Sequence, residues 1–326
     1  MRIVKKMLKW TGLGLATLTV GLTVAVVLLE RRTHDVALPD LHASRDPAVI
    51  ARGRYLAYGA AHCVDCHGDP ARRGEAEAGR EVPLSGGLAF HLPIGTIRPA
   101  NITSDRETGI GALGDGQIAR ALRFGVGRDG RTLAPFMPFA NLSDKDLTAI
   151  ISFLRSQAPV RNPVTTHALN PLGHLVAAFV LTPRGPTGPV PQRMAAGPTP
   201  EYGRYLVHSV ANCVGCHTKI DMRTGAFTGP PLAGGATHPS FSKPGTSFVT
   251  PNLTPHPRTG RIASWPEDLF LARFRMGKGA EGSPMPWPAF SRMSDDDLRA
   301  IYRYLKTVPA VENDTGDSVR TAVATR

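Results

Sequence analysis

Hydrophobic and polar positions divide the chain into an apolar head, two stretches of amphipathic helix and a proline-rich join between them. Trp10 to Leu29 is twenty residues without a charge, the length a helix needs to cross a hydrocarbon core. Arg2, Lys5, Lys6 and Lys9 precede this run, and Glu30, Arg31 and Arg32 follow it. The positive-inside bias then keeps the N-terminus cytoplasmic and exports everything after residue 32. A cleaved secretory signal has a shorter apolar region and a small-x-small cleavage site. This run is longer and ends in Val-Val-Leu-Leu-Glu-Arg-Arg, so residues 1–32 are expected to stay as a membrane anchor. Farther on, Leu147, Ile150, Ile151 and Leu154 recur at i, i+3, i+4 and i+7, as do Leu298, Ile301, Tyr302 and Leu305. Each set is one apolar stripe and predicts a core-facing helix, opened by Ser-x-x-Asp as a variant capping box. Asp46-Pro47 and Thr199-Pro200 are N-cap and first-turn signals for helices expected to run on for about four turns. Middle helices are expected over 117–124 and 267–274. No convincing period-2 alternation appears, so the fold class expected is all-α with long Gly/Pro loops.

The chain repeats itself at a period near 150. Gly53-Arg54-Tyr55-Leu56 returns as Gly203-Arg204-Tyr205-Leu206, and Pro83-Leu84-Ser85-Gly86-Gly87 as Pro231-Leu232-Ala233-Gly234-Gly235. Asn101-Ile102-Thr103 matches Asn252-Leu253-Thr254, Thr108-Gly109 matches Thr259-Gly260, and Ser143 to Leu147 matches Ser294 to Leu298. Self-similarity this extensive marks a duplicated unit. The units are expected at 48–158 and 200–310, with a linker over 159–199 and a polar tail over 311–326. Residues 157–200 hold nine prolines, which suits a linker. Within it Leu172–Leu181 is apolar apart from Gly173 and His174. Ten residues cannot span a bilayer; the stretch is expected to pack on a domain or partner surface, or to dip into the membrane interface.

Composition adds two points. Of 326 residues 34 are Gly and 29 Pro, and aromatics make up only 6%, which suits a loop-rich fold that borrows apolar mass from a cofactor. The formal charge is +12, but the anchor segment carries +5 of it (six Lys/Arg against one Glu). The remaining +7 is a moderately basic body, and nucleic acid is not an expected partner.

All four cysteines fall in two Cys-x-x-Cys-His motifs, Cys63-Val64-Asp65-Cys66-His67 and Cys213-Val214-Gly215-Cys216-His217. Residues i and i+3 share one helix face, so both thiols of a pair can reach the two vinyl groups on one porphyrin edge. The following histidine turns its imidazole to the iron. The motif reads as covalent c-type haem attachment, giving two haem c groups, with His67 and His217 as proximal ligands. A dithiol oxidoreductase needs a βαβ context, and a four-cysteine zinc site needs its halves some 15–20 residues apart; neither is present. The repeat also selects the sixth ligands. Met222 follows His217 too closely, while Met276 aligns with Val126 and Met293 with Leu142, as core positions would. Met285, in Pro-Met-Pro, alone has a methionine counterpart: Met137, in Phe-Met-Pro. Met137 and Met285 are therefore the expected axial ligands. Such His/Met ligation fills both axial positions and raises the potential. The other histidines are expected on surfaces or loops, with His91 and His238 worth following. The Asn-x-Thr triplets at 101 and 252 fit a glycosylation sequon, yet their equivalent places suggest a structural asparagine.

Each repeat resembles a class I cytochrome c domain. The pair is similar to the multihaem cytochrome c subunits of bacterial membrane-bound alcohol and sugar-acid dehydrogenases, over about 48–158 and 200–310. The likeness rests on Gly-Arg-Tyr-Leu before the cysteine motif, Gly-Gly, Pro93–Thr96 and Pro244–Thr246, Asn-x-Thr, Met-Pro and Ser-Asp-x-Asp-Leu. The resemblance implies a periplasmic electron carrier held to the inner membrane. It would take electrons from a dehydrogenase catalytic subunit and pass them to a quinone or a terminal oxidase. A dihaem peroxidase, the alternative, needs one haem with an exchangeable sixth position. Both repeats keep Met-Pro, so no catalytic residue is expected in this chain.

Overall fold

In the computed structural model, residues 2–165, 167–221, 226–240 and 242–321 are described. Helix α1 (Arg2–Glu30) runs unbroken for 29 residues and buries none of them; it is long and apolar enough to cross a membrane. Thr17, Thr19 and Thr23 each donate their hydroxyl to the carbonyl four residues back at 2.9 Å. Their polar atoms are thereby satisfied inside the helix.

The first repeat contains α2 (Pro47–Tyr58), α3 (Cys63–His67), α4 (Arg73–Glu77), β1 (Phe90–Leu92), β2 (Gly95–Ile97), α5 (Asp115–Phe124) and α6 (Asp144–Ser156). Strand β3 (Ala168–Leu169) and helix α7 (Pro171–Phe179) follow. The second repeat contains α8 (Pro200–Tyr205), a π-helical turn over Leu206–Val210, α9 (Cys213–Cys216), β4 (Thr237–Pro239) and β5 (Thr246–Val249). It closes with α10 (Glu267–Arg275), α11 (Trp287–Phe290), α12 (Asp295–Leu305) and β6 (Val319–Thr321).

The chain is largely helical but not all-α. Two antiparallel three-stranded sheets, β1-β2-β3 and β4-β5-β6, occupy matching places. Strands of two to four residues are too short to show an alternation. Their third members come from the expected linker and the expected polar tail, so each flanking segment folds back on its own repeat. The helices opened by Asp46 and Thr199 also end earlier than expected. The chain turns before each cysteine motif through a left-handed residue, His62 (φ 41°) and Asn212 (φ 50°), a conformation in which Asn and His are enriched.

The central packing pairs α2 with α6 and α8 with α12. At both crossings a glycine sets the distance. A Cβ on Gly53 would lie 1.9 Å from the Ala149 carbonyl oxygen, and one on Gly203 1.9 Å from that of Ala300. Backbone cannot yield as a flexible side chain does. Gly53→Ala or Gly203→Ala should therefore cost about 3 kcal/mol, measured as a lowered urea midpoint.

The two repeats share one continuous core and exchange hydrogen bonds reciprocally. The Tyr55 hydroxyl donates to Asp297 at 2.6 Å and accepts from the Ser294 amide at 2.9 Å. The Tyr205 hydroxyl donates to Asp146 at 2.8 Å and accepts from the Ser143 amide at 3.1 Å. Between them Arg52 makes a bidentate pair with Asp146 and donates to the Tyr202 hydroxyl at 3.0 Å. Each Gly-Arg-Tyr-Leu tyrosine thus binds the start of the other repeat's last helix.

Candidate functional site

Helix α3 places Cys63 and Cys66 one turn apart, with His67 as its last residue. Helix α9 does the same for Cys213 and Cys216, with His217 as its C-cap. Burial pushes the Cys63 and Cys213 thiols up to about 12, that of Cys66 up to about 11, and raises Cys216 as well. They are protonated at neutral pH, unlike the low-pKa thiols of redox-reactive sites. Between the first pair sits Asp65, whose carboxyl burial drives up to about 7 and whose Oδ2 has no hydrogen-bond partner among the described residues.

The histidines are held by the same device in both repeats. His67 Nδ1 donates to the Ala100 carbonyl at 2.7 Å, and His217 Nδ1 to the Pro251 carbonyl at 3.1 Å. A carbonyl only accepts, so Nδ1 carries the proton and Nε2 keeps its lone pair. Burial lowers both imidazole pKa values, that of His217 to about 4. Each ring is thus oriented by its carbonyl partner with Nε2 left unprotonated, an arrangement that would suit a metal-binding imidazole.

The glycine pair makes this possible. Gly86, Gly87, Gly234 and Gly235 all have positive φ. The amides of Gly86 and Gly234 donate to the carbonyls of His67 and His217, each at 2.8 Å. A Cβ on Gly86 would fall 2.4 Å from the Ala100 carbonyl carbon, and one on Gly234 2.5 Å from that of Pro251. Only glycine lets the accepting carbonyl come this near.

Asn101 and Asn252 stand next to those carbonyls and are buried. Each side-chain oxygen accepts from the amide and hydroxyl of the threonine two residues on. The amide groups donate to the Val160 and Val311 carbonyls, at 2.7 and 2.8 Å. They are structural knots, as their matched places suggested, and they tie residues 160 and 311 to the repeats. Asn162 and Asn313 complete the tie by donating to the Ser85 and Ala233 carbonyls. Residues 160, 162, 311 and 313 all sit outside the range over which the repeat was visible in the sequence.

Met137 and Met285 lie in irregular loops before α6 and α11, and like Cys63 and Cys213 both are half-buried against the core. The Met285 carbonyl accepts from the Trp287 amide at 2.7 Å, and the Arg273 guanidinium lies 3.7 Å from the centre of the Trp287 ring. Met293 is core, matching Leu142. Met276 is not: it is 77% exposed, although Val126 is fully buried. It follows the last turn of α10, where the two repeats diverge. Met222 is outside the described residues.

Among the other histidines, His91 is exposed and paired with Thr96, while His238 lies 3.4 Å from the Cys216 carbonyl, against the second motif. His62 lies in the turn before α3, a loop position as expected, but it has a packing partner. It stacks on Phe290 of the second repeat with ring centres 5.4 Å apart, and burial lowers its pKa to about 4. Among the described residues no three His, Cys, Asp or Glu side chains converge on an all-protein metal site. What each repeat offers instead is two thiols one helical turn apart with an imidazole on the next residue. That donor set suits a metal brought in by a covalently held macrocycle.

No protein-family model matches the chain. Curated relatives do. The chain is 34% identical over 287 residues to the "Alcohol dehydrogenase (quinone), cytochrome c subunit" of Gluconobacter oxydans (strain 621H), covering 82% of this chain and 56% of the relative. It is 32% identical over 290 residues to the "Gluconate 2-dehydrogenase cytochrome c subunit" of Pantoea cypripedii, covering 81% and 60%. This chain thus spans little more than half the length of those subunits. It is also 30% identical over 271 residues to a "Diheme cytochrome c-type" protein of Cereibacter sphaeroides, covering 80% of this chain and 86% of the relative. With similarity running through both repeats, the chain belongs to the family of c-type cytochromes that includes the cytochrome c subunits of bacterial dehydrogenases.

Proposed function

We propose that the protein is a dihaem electron carrier of the periplasmic face, anchored in the inner membrane by α1. Its two repeats act as tandem cytochrome c domains. Cys63 and Cys66 would bind one haem covalently, and Cys213 and Cys216 the other. His67 with Met137, and His217 with Met285, would be the axial ligands. Bound haem supplies one-electron chemistry between ferric and ferrous iron. The chain's own residues fix each imidazole by its Nδ1 proton, exclude water around it, and hold the two repeats as one body through the shared core. The observation that carries this reading is the duplicated bond from histidine Nδ1 to a backbone carbonyl, directly beside each thiol pair. The natural setting is a dehydrogenase complex. A catalytic subunit would donate electrons, and a quinone or terminal oxidase would accept them.

The test is the haem count. Wild-type protein should carry two covalent haems by intact mass and pyridine haemochrome. Changing Cys213 and Cys216 together to Ala should leave one, on the first repeat. Loss of all haem in that double variant would refute independent attachment, and a haem-free wild type would refute the proposal.

A further inference from the structure

We propose that helix α7 is a membrane-interface helix, seated in the lipid surface beside the outer end of α1. The inference rests on the reading of α1 as a membrane span. From Trp10 to Leu29 a helix rises about 30 Å, the thickness of the hydrocarbon core, so Leu29 and Glu30 mark its outer boundary. Helix α7 packs against α1. Ala25, Val26, Leu29 and Glu30 become half-buried, whereas the rest of α1 is exposed. The His174 ring meets the Glu30 carboxylate at 2.9 Å, which holds the two helices together at the level where hydrocarbon gives way to headgroups.

The first repeat clamps one side of α7. Asn170 caps it by accepting from the Gly173 amide at 2.9 Å and donates to the Pro93 carbonyl at 2.8 Å. Gly173 is buried so tightly that a Cβ would lie 2.1 Å from the Ile94 oxygen. A cavity of about 230 Å³ separates α7 and the α1 end from Thr132–Phe136, the loop leading to Met137. The other side is bare. Leu172, Leu175 and Phe179 stand at i, i+3 and i+7 and are 52%, 38% and 54% exposed, and Val180 extends the stripe.

Lipid is the occupant because this stripe continues the exposed apolar surface of α1, and the two are joined at Glu30. Nine residues are too few to span, but an apolar helix face lying in the plane of the interface buries well there. The exposed Arg31 and Arg32 beside it suit anionic headgroups. Two attachments, α1 and α7, would fix the orientation of the first repeat and its Met137 loop toward the bilayer, where one helix alone leaves rotation free.

The test uses the full-length holoprotein in vesicles of phosphatidylethanolamine and phosphatidylglycerol. Spin labels go on Leu175→Cys, Phe179→Cys, Val20→Cys in α1 as a lipid reference, and Ser264→Cys on the second repeat as a water reference. Collision with oxygen and with an aqueous nickel chelate is then compared by power saturation. Labels at 175 and 179 should favour oxygen as the Val20 label does. If they favour the nickel chelate while the Val20 label favours oxygen, α7 lies in water and this inference falls alone. If both reagents are excluded at 175 and 179, protein covers the stripe and the inference also falls. A Val20 label that favours the chelate would remove the anchor, and this inference with it.

Discussion

Replacing Met137 or Met285 by alanine should remove about half of the weak near-infrared sulfur-to-iron band expected for two His/Met haems. Each variant should also open one haem to carbon monoxide, which the unmodified protein should not bind rapidly. The potential of that haem should fall, because the thioether favours ferrous over ferric iron. Each 1.4 kcal/mol lost corresponds to roughly 60 mV for one electron. The control is Met276→Ala, whose side chain is 77% exposed and should leave spectrum and potential unchanged. Met293 is a poor control, since it is buried in the core and its removal would leave a cavity. An unchanged spectrum in Met285→Ala would reassign the second ligand. Fast peroxide turnover by the wild type would argue for an enzyme instead.

Opposite outcomes are expected at two equivalent carboxylates. Asp146 is buried and holds Arg52 through two bonds. In Asp146→Asn that guanidinium would lose its counter-charge and one of its two bonds to residue 146, and a part-buried charge without its partner should cost about 2–3 kcal/mol. Asp297 makes no ion pair among the described residues, and Arg52 acts on it only at a distance. It accepts from Tyr55, and burial raises its carboxyl pKa. A raised acid favours the protonated folded state, so ionised Asp297 opposes folding at neutral pH, and that opposition fades as pH falls through its raised value. Asn at 297 still accepts from Tyr55, so Asp297→Asn should change stability by less than about 1 kcal/mol, and any gain should vanish on acidification. Urea midpoints at pH 7 and pH 5 would check both. A larger loss at 297 than at 146 would reverse the assignment of the ion pair.

Much of this was legible in the chain because it is local. The cysteine motifs, the caps at Ser143 and Ser294, and the stripes of α6 and α12 depend on neighbours within a few residues. The matched Asn-x-Thr triplets gave a structural reading that burial supports. What stayed hidden depends on distant partners. Val160 and Val311 act through backbone carbonyls, which leave no trace in residue identity. Strands β3 and β6 are shorter than any period. His62 takes a left-handed turn that favours asparagine, its counterpart at 212, and the stacking on Phe290 follows only once the repeats are docked. Position 276 misled because it sits at the end of a well-matched helix, where the alignment holds but the packing does not.

The reciprocal tyrosine bonds have the geometry of an isologous contact, in which the same patch serves both partners. In an association of two identical chains, whatever lies on the axis must meet its own copy. Two arginines there would repel, and two tyrosines would leave both carboxylates without a cation. Position 52 and its repeat counterpart 202 are arginine and tyrosine, and they bond to each other. Within one chain those two positions need not be alike, so an interface of isologous geometry can carry an unlike pair on its axis, giving one carboxylate a cation while the other keeps only hydrogen bonds.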